Sequence, residues 1–238
     1  MVKNWATRTP KDFRFTAKFP KVITHDKKFT NVENELNLFY DAIEPLKEKL
    51  LALLIQFPPY VKIAEGLEAL KQYDFYFDDR YRYAVEVRHP SWFSDLAYNF
   101  FSNNNICMVW NQLEKIQSPP IVTTDFVYLR LIGDRSIKEG NFGKIQKDRE
   151  QEMTYWSDKF RTIQQEDKDV QIGIVAANNH YAGFGAATAN MFRVMSNLPS
   201  VEWGINRDID YSTELEISDR KKGYHKTKQK SLLDYPSS

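Results

Sequence analysis

Apolar positions fall along this chain in two alternating patterns. Short, β-rich runs of about seven residues are separated by longer stretches in which apolar residues recur every three or four positions. The first run is Phe13–Phe19, stopped by Pro20 and followed by a polar loop with His25. A helical pattern then runs from about Val32 to Lys49, with Leu36, Phe39, Tyr40, Ile43 and Leu46 on one face, and Pro45 is expected to interrupt it. Leu51–Phe57 is the second run, closed by Pro58-Pro59, and a helix over about Val61–Tyr73 follows. Tyr83–Val87 is the third, leading into Arg88-His89-Pro90 and a helix near Phe93–Asn103. Ile106–Trp110 and Phe126–Ile132 are the fourth and fifth. A polar helix over about Gln146–Gln165 precedes the sixth, Val170–Ala177, and the last helix covers about Ala186–Asn197.

Strands separated by helices imply right-handed crossovers and a parallel α/β sheet. The second and sixth runs are apolar almost throughout, as strands covered on both faces are. This organisation fills residues 1–205. Residues 206–238 differ: Arg220, Lys221, Lys222, Lys226, Lys228 and Lys230 cluster there with little apolar periodicity, which reads as a mobile, basic C-terminal tail.

Composition narrows the class. With 16 Phe, 13 Tyr and 5 Trp, the chain has ample material for a core. Its 33 basic and 32 acidic residues nearly cancel, so no global field points to a polyanion. Cys107 is the single cysteine, which excludes an intramolecular disulfide and a thiolate zinc cage. No apolar run approaches the ~20 residues that cross a bilayer, and the N-terminus lacks the apolar core of a signal peptide. The expectation is a cytoplasmic protein with no membrane partner; nothing in the pattern sets its oligomeric state.

The chemistry lies at strand ends, where parallel βα folds place their ligands. Lys18 and His25 follow the first run and Gln56 ends the second. Glu86, Arg88, His89 and Trp92 surround the end of the third, and Trp110-Asn111 ends the fourth. Arg130 and Gly133-Asp134-Arg135 mark the fifth, and Asn178-Asn179-His180 the sixth. Side chains alternate faces along a strand, so Thr16 and Lys18 share a face, as do Glu86 and Arg88, and Tyr128 and Arg130. Charges inside apolar strands are costly unless paired. The economical arrangement is one polar cluster at a shared mouth, with positive charge left over for an anion. Two readings of the histidines stay open. His25, His89 and His180 with Glu86 suit a divalent metal, but no HExxH or HxH spacing supports one, and loop anchoring by hydrogen bonds is the other reading. Two readings of Gly183 and Gly185 also stand: backbone N–H groups approaching a phosphate at a helix start, or plain turn chemistry. Gly183-x-Gly185-x-x-Thr188 lacks the third small residue of a dinucleotide fingerprint. The aromatic clusters Tyr73–Phe77 and Tyr81–Tyr83 read as packing rather than base stacking, Cys107 as a buried filler, and Ser91 lacks a nucleophile elbow.

Taken together, TPKDFRFTAKFPKVITH, LLIQFPP, YAVEVRHPSWF, FVYLRLIGDR and NNHYAGFGAATAN, in this order over roughly residues 5–197, resemble the YecE-like family, domain of unknown function 72. The resemblance implies a TIM-type (β/α)8 barrel. It also implies that Lys18, His25, Gln56, Glu86, Arg88, Trp92, Arg130, Gly133, Asn178 and Asn179 occupy recurrent motif positions. Two departures stand out. Ile132 takes the place of a histidine found in many members. The Gly-Thr-Ser-Gly-Trp-like first strand and the Asn-Ser-x-Phe-Tyr-like second strand are not seen, so the expected barrel is N-terminally truncated to about six parallel strands with surrounding helices. The functional expectation is a phosphate-bearing or other anionic small molecule at the C-terminal mouth, with hydrolysis or isomerisation as the reaction class. Glu86 and His89 are the candidate catalytic residues. Lys18, His25, Gln56, Arg88, Trp92, Arg130, Gly133, Asn178, Asn179 and Gly183 are the candidate ligand-binding residues. The alternatives are a nucleic-acid-binding or nuclease-like protein and an inactive truncated barrel.

Overall fold

The computed structural model describes residues 1–73, 77–167 and 169–202. The basic tail over 206–238 and part of the aromatic cluster Tyr73–Phe77 therefore lie outside the described residues. The chain divides into two compact units. The first holds residues 1–111, 116–129 and 169–174; the second holds 112–115 and, among the described residues, 130–167 and 175–202.

In the first unit, β1 (Phe15–Lys18), β2 (Leu50–Gln56), β3 (Tyr83–Glu86) and β4 (Ile106–Met108) form a parallel sheet in the order β1-β2-β3-β4. The register sets Lys18 beside Leu54, Gln56 beside Glu86, and Ala84 beside Cys107. Between the strands run α2 (Glu33–Ile43), α3 (Ile63–Tyr73) and α4 (Asp95–Asn103). Pro45 acts as expected: α2 ends at Ile43 and the chain continues as a tighter 3-10 turn over Glu44–Lys49, with Lys47 at φ +47°.

One helix was not legible in the apolar pattern. Residues Val2–Arg8 form α1, which buries none of its side chains and so shows no periodicity. Its C-terminal carbonyls are satisfied from outside, because Lys49 Nζ donates to Ala6 O at 2.7 Å and Thr9 O at 2.9 Å. A cation at this end also complements the helix dipole.

The fourth apolar run corrects the expected strand count. It breaks at Val109 into β4 and a separate strand, β5 (Trp110–Leu113), although Val109 N still donates to Val85 O at 3.0 Å. A second sheet has the order β5-β6-β7, with β6 at Phe126–Gly133 and β7 at Ile172–Ala177. The architecture is thus α/β, with strands in two sheets. Among the described residues no closed barrel forms, because β1 and β7 stand at the ends of their sheet orders. The remaining helices are α5 (Glu150–Glu166), the single turn α6 (Asn179–Ala182) and α7 (Gly185–Met195). In the second unit Trp156 is fully buried, its Nε1 donating to Gln112 Oε1 at 2.9 Å.

The core of the first unit fills one face of its sheet with Leu53, Ile55, Val85, Val87, Ile106 and Met108, packed against Phe57, Trp92 and Phe101. Trp92 lies stacked with Phe57 at 5.4 Å and Phe101 at 5.8 Å between ring centroids. Its only polar atom, Nε1, donates to Val61 O at 3.0 Å. Gly66 on α3 makes room for this ring, since a Cβ there would sit 2.2 Å from Trp92 Cζ2. Helix propensity favours Gly66→Ala by about 1 kcal/mol, whereas overpacking a rigid, fully buried ring costs about 1–3 kcal/mol. Gly66→Ala is therefore expected to lower the urea unfolding midpoint; an unchanged or raised midpoint would show that the indole can yield.

Candidate functional site

In the first unit, the side chains at the carboxyl ends of β1–β3 converge. Glu86 closes β3 with no exposed surface, and its neighbour across the ladder, Gln56, is 8% exposed. A carboxylate at zero exposure is sustainable only beside a cation. Arg88, two residues on and on the same face, supplies it: Nε donates to Glu86 Oε1 at 2.6 Å. Lys18, at the end of β1, is exposed. Asn111 in β5 is also fully buried, and its Nδ2 donates to Val87 O at 3.0 Å, between Glu86 and Arg88 in sequence.

His25 joins this group through an unusual local structure. Pro20 ends the strand segment, and Val22–Asp26 then coils as one π-type turn, a feature often found at functional sites. The buried Thr24 hydroxyl lies 2.7 Å from His25 Nδ1. Burial depresses the imidazole pKa first, followed by the positive charges of Lys18, Lys21 and Arg88; Asp26 opposes them. The ring thus reports a locally positive field. Thr24 is a site residue the sequence pattern did not single out, because a threonine beside a histidine carries no distinctive signal.

Two of the expected site residues serve the scaffold. His89 caps the 3-10 turn Pro90–Trp92, its Nδ1 accepting from Ser91 N at 3.1 Å and lying 2.9 Å from Ser91 Oγ. Nδ1 is thus taken up by the turn's own N–H. Trp92 belongs to the core, with its indole nitrogen already satisfied.

The second unit gathers the other candidates. Arg130 and Asn178 line a cavity of about 90 Å³ together with Leu131, Ile132, Ala176 and Ala177. That is far below the ~300–1,000 Å³ of an ordinary small-molecule pocket. Gly133 has φ +77°, and a Cβ there would lie 2.3 Å from His180 O. Asn178 caps α6 by accepting from His180 N at 2.9 Å. Asn179 Oδ1 accepts from Gly185 N at 2.8 Å, where a bound anion would otherwise sit at the start of α7. Gly183 takes φ +109° and its N–H donates to Asn179 O at 2.7 Å. The Gly183 and Gly185 amides are spent on the fold, which favours turn chemistry over a phosphate cradle at these two glycines. Asp134, next to Gly133, pairs with Lys147 and accepts from Ser136 N, and the Lys147 hydrogen bond in particular holds its carboxyl well below the usual range.

The metal reading finds no support in this geometry. Among the described residues, no group of three or more His, Cys, Asp or Glu side chains is placed to hold an ion. His180 instead sets its ring edge-on against Phe142, 4.9 Å between centroids.

Parallel strands joined by helices define an α/β protein, with polar side chains gathered at the carboxyl ends of the first sheet. The sequence profile of the family described as "Protein of unknown function DUF72" matches residues 1–206, and the chain belongs to that family. It is 31% identical over 94 residues to the UPF0759 protein YecE of Escherichia coli K12, an aligned stretch covering 40% of this chain. That stretch spans about a third (34%) of the relative's length. The crystal structure of a DUF72 family protein from Thermotoga maritima MSB8 superposes with a TM-score of 0.64 at 28% identity, covering 80% of this chain and 76% of that one. A DUF72 family protein from Enterococcus faecalis V583 gives a TM-score of 0.68 at 24% identity, over 83% and 84% of the two chains, and shares the fold. Among the described residues no helix is long and apolar enough to cross a membrane.

The depressed pKa of His25 has a defined consequence for stability. Its folded value lies below the ~6.5 of an unfolded chain, so in the window beneath ~6.5 the unfolded state binds more protons and stability rises with pH. Urea midpoints should therefore fall as the pH is lowered through this window. His25→Gln should flatten the slope there; an unaltered slope would show that His25 does not carry it.

Proposed function

We propose that the carboxyl ends of β1–β3 bind a small anionic molecule, most simply one bearing a phosphate, and that Glu86 acts on it as a general base in a hydrolysis or isomerisation. One observation carries the reading: a fully buried, ion-paired carboxylate stands in a group whose charge remains positive. Lys18, Lys21 and Arg88 act on His25 together with Asp26. With Glu86 paired to Arg88, these are three cations against two carboxylates around a ring kept neutral. An anion is what restores balance in such a site. The neighbouring guanidinium fixes the orientation of the Glu86 carboxylate. Arg130 and Asn178 remain ligand-binding candidates within the second unit, taken by itself. His89 and Trp92 are assigned to the scaffold.

A TIM-type barrel, expected from the resemblance, belongs to this proposal as well, since barrels of that type carry their sites at the carboxyl ends of the strands.

Lys18 is the better probe of binding, because it is exposed and its loss leaves Glu86 paired. Arg88→Ala would take a cation away from a fully buried carboxylate and so cost stability whatever the ligand. In thermal-shift titrations with inorganic phosphate the wild type should be stabilised, Lys18→Met should lose most of the shift, and Arg88→Lys part of it. A wild-type melting temperature that is insensitive to millimolar phosphate, or an identical shift in Lys18→Met, would contradict the proposal.

A further inference from the structure

β1 and β7 both stand at an end of their sheet orders, and their sequences treat that position differently. β1 is only four residues long, exposes Thr16 and Lys18, and follows the exposed Arg14. Short length and charge are how an open edge is kept from pairing with another strand. β7 has neither. Its six residues, Ile172-Gly173-Ile174-Val175-Ala176-Ala177, carry no charge and no proline. That is the composition of a strand with a neighbour on each side. Yet among the described residues β7 pairs with β6 alone, and only Ile174 in it is buried. β3, which has a strand on each side, is buried at all four positions. An apolar, uncharged edge of this kind is a liability unless something covers it.

The chain itself carries a segment that fits. α7 starts beside the end of β7, since a Cβ at Gly185 would lie 2.4 Å from Ala177 O. Asn190 on α7, 6% exposed, then holds Val201 with both arms of its amide: Val201 N donates to Oδ1 at 2.6 Å, and Nδ2 donates to Val201 O at 3.3 Å. This clasp fixes the point from which the chain continues beyond residue 202. The basic cluster begins at Arg220. Ahead of it, in a stretch outside the described residues, the sequence alternates: Tyr211, Thr213, Leu215 and Ile217 against Ser212, Glu214 and Glu216. Alternation at period two, with β-branched and aromatic side chains on one side, is a strand signal. The other side carries two carboxylates, which suits a strand that becomes the new edge. Residues 203–210 can span about 29 Å, more than the ~20 Å length of a six-residue strand.

We propose that the open edge of β7 is the docking site of residues 211–217 of this chain, which add to the second sheet as a further strand. The family profile stops at residue 206, so the docked strand lies beyond what the family shares. A segment tethered so closely meets the edge at an effective concentration of about millimolar, which favours it over a second copy in dilute solution.

Amide hydrogen exchange of the full chain, followed by NMR, tests this. Along an edge strand successive N–H groups point alternately to the partner strand and to solvent, so an open β7 exchanges rapidly at every second position. In the wild type the consecutive amides of Val175, Ala176 and Ala177 should all exchange slowly. Leu215→Pro disrupts the docked segment and should speed exchange at the outward-facing amides among them about tenfold. Lys228→Pro, beyond the segment, should leave all three unchanged. Rapid exchange at alternate positions in the wild type would overturn the proposal, as would wild-type rates in Leu215→Pro or an equal rise in Lys228→Pro. Protection that grows with protein concentration would overturn it in favour of a second copy. Should Leu215→Pro fail to fold, the wild type's own amides over 212–217 are the second readout. Protection at every second position there supports docking; free exchange throughout overturns it.

Discussion

A buried carboxylate is the constraint on which the rest of this site depends. Glu86 has no exposure to water and cannot be carried there as an isolated charge. Arg88 answers it directly, which fixes the guanidinium two residues beyond the strand position of its partner. With Arg88 committed, its remaining influence reaches His25, whose ring also feels Lys18 and Lys21. Four elements of the first unit contribute one part each: β1 brings Lys18, the π-type turn His25, β2 Gln56 and β3 Glu86. Parallel pairing makes this inevitable, because it brings all the carboxyl ends to one edge of the sheet.

Much of the fold was legible because burial writes a clear period into the chain. The second run, read as Leu51–Phe57, is the strand Leu50–Gln56, and the helix read over Phe93–Asn103 is Asp95–Asn103. Elements without a buried stripe left no trace, as with Val2–Arg8, whose ends are held by Lys49 from far along the chain. The break at Val109 was equally silent, since both halves of that run are buried and apolar. A switch of sheet partners depends on pairing, and pairing is not a property of one strand's sequence.

The site was legible where strand alternation applied and failed where it stopped. Glu86 and Arg88 share a face as the period of two requires, and Gln56 meets Glu86 in the ladder. Past the end of β3 the chain turns, so His89 and Trp92 no longer follow the period; one caps the turn and the other enters the core. The glycine-rich loop shows a related limit. A helix start with free amides and one whose amides are already taken look alike in sequence, and here Asn179 fills the place. Three histidines at three strand ends left a metal reading open, but among the described residues no group of three metal-ligating side chains is placed to hold an ion.

The positive field around His25 can be read directly from its imidazole proton resonances, titrated with and without inorganic phosphate. The predicted result is a midpoint below the ~6.5 of a free histidine, moving upward when phosphate binds and offsets Lys18, Lys21 and Arg88. A midpoint at or above that of a free histidine, unmoved by phosphate, would contradict an anion site at these strand ends.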